Sequence, residues 1–491
     1  MNPHFLDWEN KPLLFKIYPT LEVLRLPRDF RETGRAALDA IAVPGRPASA
    51  EAIPNLETLA QLLFFSAGVV RSKKQEQVET FFRAAACTGA LYEIELYVVC
   101  ADLPGAKDSA GLSAGVYHFG VAEFGLRRLR AGDFRQTLVE ATTSDPCLAH
   151  APVIIICTGT YWRNAWKYRS RTYRHFGWDN GTILANLLAM SEASNLPARI
   201  VTGFVDSQIN ELLSLDTRRE VAFSLVSIGH QQSTPSRSPQ ISPLHLPIVP
   251  YSKEEVDYPA MRKMHEASSL DSANEVAAVR GKTPSNDFPP PPGTTALLQL
   301  ANDSIPQDSI EKVISRRGST RQFSRQSITL PQLSLVLDRA TRGIPADFLD
   351  PLGTRLNDLY LIVNNVDGLA AGAYVYHGER KALELLKPGD FRDKAGFLGL
   401  DQQIPADAAV DVFFLADLKK ILERYGNRGY RAAQLEAGIL GGKLYLAAYA
   451  QRLGASGLTF YDDDVVNFFS PHARGKSAIF LVALGRSALR K

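Results

Sequence analysis

The stretch "AWKYRSRTYRHFGWDNGTILANLL", residues 165–188, sets Lys167 beside Tyr168 and follows them with Arg169, Arg171 and Arg174. A lysine kept neutral by burial, or a tyrosine whose pKa is lowered by a neighbouring cation, can act as a general base. Adjacent residues on a helix diverge by about 100°, so both can serve one pocket only from its rim. A surface lysine beside an aromatic anchor is the other reading these residues leave open. Further along, "ISRRGSTRQFSRQSITLPQLSLVLDRATRG" places Arg317, Ser319 and Arg321 at alternate positions before a Leu-rich helix. Two guanidinium forks and a hydroxyl suit a dianionic phosphate, each charged hydrogen bond contributing roughly 1.5–3 kcal/mol. Basic residues ahead of a helix are also common without any ligand.

The elements that must position these groups are written twice. "LERYGNRGYRAAQLEAGILGGKLYL", residues 422–446, repeats Tyr-x-x-Arg-x-Tyr-Arg at a fixed displacement (425 − 168 = 257). The same displacement relates Tyr173 to Tyr430, Arg174 to Arg431, Gly181 to Gly438, "GDFR" at 132–135 to "GDFR" at 389–392, and Gly115-Val-Tyr117 to Gly372-Ala-Tyr374. Matches in order at one offset indicate a tandem duplication with a whole domain as its period. Each copy contains strand-like runs ("EIELYVVC", "PVIIICTG", "EVAFSLVSIG"; "NDLYLIVNN", "DVFFLAD", "SAIFLVALG") and one long apolar-faced helix after the Tyr/Arg segment. An α+β fold of two domains is expected: 1–235, a Pro/Ser-rich linker with a possible helix at 236–309, and 310–491. At the lysine position copy two has Arg424, which cannot serve as a base at neutral pH.

Composition narrows the class. The 491 residues exceed one ordinary core, and 45% apolar with 22% charged residues is a globular balance. A net charge of +3 gives no reason to expect a nucleic-acid or membrane surface. The longest apolar runs are strand-length, and "MNPHFLDWENKPLLFK" has acidic residues where an export signal needs a basic segment, so a cytoplasmic protein is expected. Cys87, Cys100, Cys147 and Cys157 lack CxxC or metal-ligand spacing, which predicts neither disulfides nor a metal centre. Asp462-Asp463-Asp464 reads as an acidic start to a helix. His118 and His175 are isolated, and "GLSAGVY" lacks the strand-to-helix setting of a dinucleotide fingerprint.

Two motifs carry a family resemblance. Arg317-x-Ser319-x-Arg321 before its helix looks like the opening of the FMN-dependent nitroreductase fold. "RAAACTGALYEIELYVV", residues 83–99, is similar to the Arg-x-x-Pro-Ser-Ala-Gly-Ala-Leu-Tyr-Pro-x-Glu-x-Tyr signature of the nitroreductase-like azoline dehydrogenases, which act in streptolysin-, microcin- and cyanobactin-type peptide maturation. Arg83, Gly89, Ala90, Leu91, Tyr92, Glu95 and Tyr97 match. Ala86-Cys87-Thr88 replaces Pro-Ser-Ala, Glu93 or Ile94 stands at the second proline, and Thr182 replaces a histidine.

The resemblance implies an FMN-dependent oxidoreductase in which Lys167 and Tyr168 are catalytic. It also implies flavin contacts from Arg317, Ser319, Arg321, Arg83, Cys87, Thr88, Gly89, Ala90 and Arg486. Its substrates would be a modified peptide or a small heterocycle or amine, with peptide-maturation enzymes as possible partners. An NAD(P)H-dependent nitro, quinone or ene reductase and a flavin-less peptide-binding scaffold are the alternatives. Proteins of this kind are normally homodimers whose sites take the phosphate grip from one subunit and the loop from the other. Copy one keeps the "CTGALYEIELY" loop without Arg-x-Ser-x-Arg, and copy two keeps the trio without the loop. One FMN per chain is therefore expected, bound between the copies of an intrachain pseudo-dimer.

Overall fold

The computed structural model describes residues 5–43, 45, 50–75, 78–105, 110–281, 283, 294–298 and 304–488. Two seven-stranded antiparallel sheets share one plan. In spatial order the first runs Leu24–Arg25, Gly125–Ala131, Gly115–Gly120, Ile94–Cys100, Val153–Thr160, Glu220–Ile228, Ala198–Val201. The second runs Thr295–Ala296, Ala382–Pro388, Gly372–His377, Asn357–Val363, Val410–Ala416, Ser477–Gly485, Gly454–Leu458. Each strand has its counterpart at the same place in the other sheet, so the fold is α+β with two tandem halves. Ile94–Cys100 and Val153–Thr160 are buried at every residue, which explains their nearly unbroken apolar sequences.

Between the sheets lie two central helices, Thr172–Ala193 and Arg428–Ala450, buried almost throughout and packed on each other. Both begin within the repeated Tyr/Arg motif. Tyr173 and Tyr430, repeat mates, stack with ring centroids 6.4 Å apart and planes 8° from parallel. The arginines reach across to the opposite copy. Arg171 and Arg174 pair with Asp462 at 3.1 and 2.5 Å, while Arg428 and Arg431 pair with Asp206 at 2.6 and 2.7 Å. This reciprocal exchange makes the chain an intrachain pseudo-dimer, as isologous contacts do in a true one. Asp462, Asp463 and Asp464 form the first turn of the helix Asp462–Phe469.

The helices Ala37–Ala40 and Ile310–Arg316 also meet across the pseudo-dyad, through Ala37 N to Asp308 O (2.9 Å) and Ile310 N to Arg35 O (3.0 Å). Within the segment expected to be linker, Pro259–Ala267 and Ala273–Ala278 are helical. Thr295–Ala296, from the same segment, edges the second sheet. The proline run at 289–292 lies outside the described residues. All four cysteines are free thiols. Among the described residues no helix is long and apolar enough to cross a membrane.

Candidate functional site

The "CTGALYEIELY" segment makes a tight turn, Thr88–Ala90, in which Gly89, Ala90 and then Tyr92 take positive φ (67°, 54° and 54°). Residues other than glycine rarely hold that backbone, so neighbours must enforce it. The first central helix does so from below. Asp179 accepts from Thr88 N (2.8 Å) and Thr88 Oγ1 (2.9 Å), Thr182 Oγ1 donates to Ala86 O (2.6 Å), and Asn186 Nδ2 donates to Ala84 O (3.0 Å). Thr182, at the resembled family's histidine position, is thus a loop anchor.

Copy two grips the same loop. Arg317, 7% exposed, donates from Nε to Ala84 O (3.0 Å) and from Nη2 to Arg83 O (2.8 Å). Two of its donors are therefore committed to peptide carbonyls, and the residue joins the copies. Ser319 Oγ lies 3.2 Å from Tyr445 Oη. Arg321 is exposed, and its charge acts on both Lys167 and Tyr168. Arg71, 3.9 Å from where a Gly318 Cβ would stand, adds another exposed cation.

Lys167 and Tyr168 end the helix Tyr161–Tyr168, which stops because Arg169 turns to φ 50°. They do not diverge: Lys167 Nζ folds over the Tyr168 ring, 5.3 Å from its centroid. Partial burial, then the Arg321 and Lys11 charges, lower the Lys167 pKa from its ordinary 10.5. Burial and the acids Asp179, Cys87 and Glu93 raise that of Tyr168, which Arg321 only partly opposes. At neutral pH the tyrosine is a phenol, so a base lowered by cations describes the lysine alone. The Tyr168 ring lies on the turn, its Oη 2.9 Å from where a Gly89 Cβ would stand. That approach requires glycine.

The other expected contacts stand further back. Arg83 is 4% exposed, donates to Leu14 O (2.7 Å) and lies over Tyr92. Arg486 donates from Nε to Ser327 O (2.9 Å), in the loop that follows the Arg-x-Ser-x-Arg motif. Cys87 lies under the turn, its Sγ 3.2 Å from Asp179 Oδ2 and 3.5 Å from Glu93 Oε2. Burial, then these acids, push its thiol well up, so it is not a reactive thiolate. Sequence reasoning missed Asp179, Glu93 and Arg71. Only Asp179 had a signal, its place two residues before the repeated Gly181.

Among the described residues, the pseudo-symmetric position is taken up by packing contacts. Helix Ala37–Ala40 is capped by buried Ile41, where Ile310–Arg316 is capped by Arg317. Lys443, repeat mate of Asn186, buries its amine on Gly343 O (2.6 Å). Arg424 donates to Ala278 O (3.0 Å), and Tyr425 donates to Phe348 O (3.0 Å).

Comparison with known proteins agrees with this architecture. Residues 314–486 match the Nitroreductase family. "Putative nitroreductase MJ1384" of Methanocaldococcus jannaschii is 27% identical over 183 residues, covering 35% of this chain and 89% of that protein. The crystal structure of a "putative nitroreductase" from Anabaena variabilis superposes with a TM-score of 0.75 at 25% identity, covering 99% of this chain and 96% of that one. The E. coli microcin synthetase McbBCD complex aligns at 18% identity over 47% of this chain and 79% of that one, with a TM-score of 0.33, too distant to bear on function. Residues 314–486 thus match the Nitroreductase family, within a chain that has the nitroreductase fold in both halves.

Proposed function

We propose that the chain is an FMN-dependent oxidoreductase with one composite site, dehydrogenating an azoline-type peptide or a small heterocycle or amine. The observation that carries this reading is that the charge of Arg321 from copy two acts on Lys167 and Tyr168 of copy one, where the Tyr168 ring lies on the Gly89 turn. The donor set suits the cofactor: Arg321 and Ser319, with Arg71 beside Gly318, would hold its phosphate, and the Thr88–Ala90 turn would wall its ring. Bound FMN would supply the hydride acceptor. Lys167, whose amine burial and then the Arg321 charge shift towards the neutral form, would take the proton that leaves with the hydride. Tyr168 would orient the substrate as a hydrogen-bond donor. The electrons would then pass to an external acceptor such as dioxygen or a quinone. Association with peptide-maturation enzymes belongs to this reading.

A second reading, an NAD(P)H-dependent nitro, quinone or ene reductase, is favoured by the descriptions of the relatives. Titration of the full-length protein with FMN, followed by anaerobic mixing with a thiazoline peptide or with NADH, separates the two. Bleaching by the thiazoline with slow reaction towards NADH supports dehydrogenation, and the converse supports the reductase. Uptake near two FMN per chain overturns the composite site. A protein that binds no FMN leaves only the flavin-less, peptide-binding alternative.

A further inference from the structure

Beneath the Thr88–Ala90 turn, the Glu93 and Asp179 carboxyls are buried close to each other, 0% and 4% exposed. The Cys87 Sγ and a carboxyl oxygen from each of Glu93 and Asp179 lie within 4.8 Å of one another. Asp179 is surrounded by donors: Thr88 N, Thr88 Oγ1 and the Cys87 thiol. Burial raises Asp179 above its ordinary 3.8, and these donors oppose that rise by favouring its anion. Glu93 differs, because Oε2 faces the Cys87 thiol and Oε1 is buried without a partner. Other charged or titratable groups near the pair belong to its surroundings. Tyr168 comes from the Lys167 helix, Tyr92 and Arg83 from the loop, and Arg317 and Arg321 from copy two act at Tyr92 and Tyr168. Two buried carboxylates in contact cannot both ionise at neutral pH. Burial, then the neighbouring Asp179, pushes Glu93 well above its ordinary 4.5.

We propose that Glu93 and Asp179 share one proton, held on Glu93, and that this proton latches the Cys87–Ala90 turn against Tyr168. With it, Asp179 is free to hold Thr88, and the left-handed backbone at Gly89 and Ala90 persists. Without it, two adjacent negative charges lie under the turn, and their repulsion loosens the Thr88 contacts. The inference rests on reading this turn as the wall of a flavin site. It makes Glu93 a positioning residue and FMN affinity dependent on pH.

The test compares the wild-type chain with Glu93→Gln, which keeps a neutral donor towards Asp179 at every pH. Infrared spectra at pH 7 should show a protonated carboxyl band in the wild type that is lost in the variant and lost on raising the pH. Hydrogen exchange at the Thr88 amide should accelerate with pH beyond the intrinsic rate in the wild type only. The FMN Kd should rise about tenfold per pH unit above the pair's pKa in the wild type and stay level in the variant. No carboxyl band at pH 7, or identical pH dependence in both chains, overturns the latch. The band and the exchange need no flavin. Their success without FMN binding would therefore sink the flavin reading alone, and level FMN affinity without the band would sink the latch alone. If Glu93→Gln does not fold, hydrogen exchange at the wild-type Thr88 amide decides the question, and no acceleration with pH beyond the intrinsic rate overturns the latch.

Discussion

Gly181 and Gly438, one repeat apart, meet where the two central helices cross. A Cβ placed on Gly181 would lie 2.4 Å from the Gly438 carbonyl carbon, and one on Gly438 would lie 2.6 Å from Gly177 O. Both obstacles are backbone, which cannot rotate away as a side chain can. Gly181→Ala is expected to destabilise at or above the upper end of the roughly 1–3 kcal/mol typical of overpacking. An unchanged denaturation midpoint would show that the crossing has slack.

The reciprocal ion pairs are not equal in burial. Asp206 is 4% exposed and faces Arg428 and Arg431 at 2% and 0%, whereas Asp462 is 37% exposed. Asp206→Ala strands two buried cations and should destabilise by about 3–5 kcal/mol. Asp462→Ala, screened by water, should cost about 1 kcal/mol or less. The arginines hold the Asp206 carboxyl well below its ordinary 3.8, despite its burial. Its contribution is therefore present above pH 3.8 and is lost as pH falls through the depressed value. Equal losses in the two variants would refute the burial argument.

Lys167→Ala should keep FMN and lose turnover by about 10²–10⁴-fold, the usual contribution of a general base, and Tyr168→Phe should keep FMN and lose turnover through the missing orienting hydrogen bond. Because the Lys167 pKa is lowered, the wild-type rate should rise with pH and level off below 10.5. Arg321→Ala removes one source of that lowering, so the limb should move to higher pH as FMN affinity falls. Variants within a few-fold of wild type on the true substrate would remove Lys167 and Tyr168 from the chemistry. Arg424→Ala should leave turnover nearly unchanged, since Arg424 holds the Ala278 carbonyl.

Lys443 offers a pH test without a ligand. Burial lowers its pKa to about 7 from 10.5 in the unfolded chain. For a depressed group the stabilising contribution is present above 10.5 and is lost as pH falls to 7. The expected slope is on the order of 1.4 kcal/mol per pH unit between those limits. Lys443→Met should flatten the curve there and raise stability at pH 7. Parallel wild-type and variant curves would place the amine in contact with water.

The two tandem halves, the α+β class and the pairing of the halves were legible in the residues because a 257-residue offset and strand-length apolar runs are properties of order along the chain. The offset even marks the contact pairs Tyr173 with Tyr430 and Gly181 with Gly438, since residues on a dyad meet their own equivalents. What each charged group does could not be read that way. Arg317 and Arg321 are written alike, four positions apart, yet one is buried on the carbonyls of residues 83 and 84 and the other is exposed near Lys167. Glu93 and Asp179 lie 86 positions apart, and only the fold makes them one buried pair. Sequence order fixes which groups exist and how they repeat. Burial, and with it the dielectric and the available partners, arises only when distant segments pack, and it sets whether an arginine binds a ligand or its own chain.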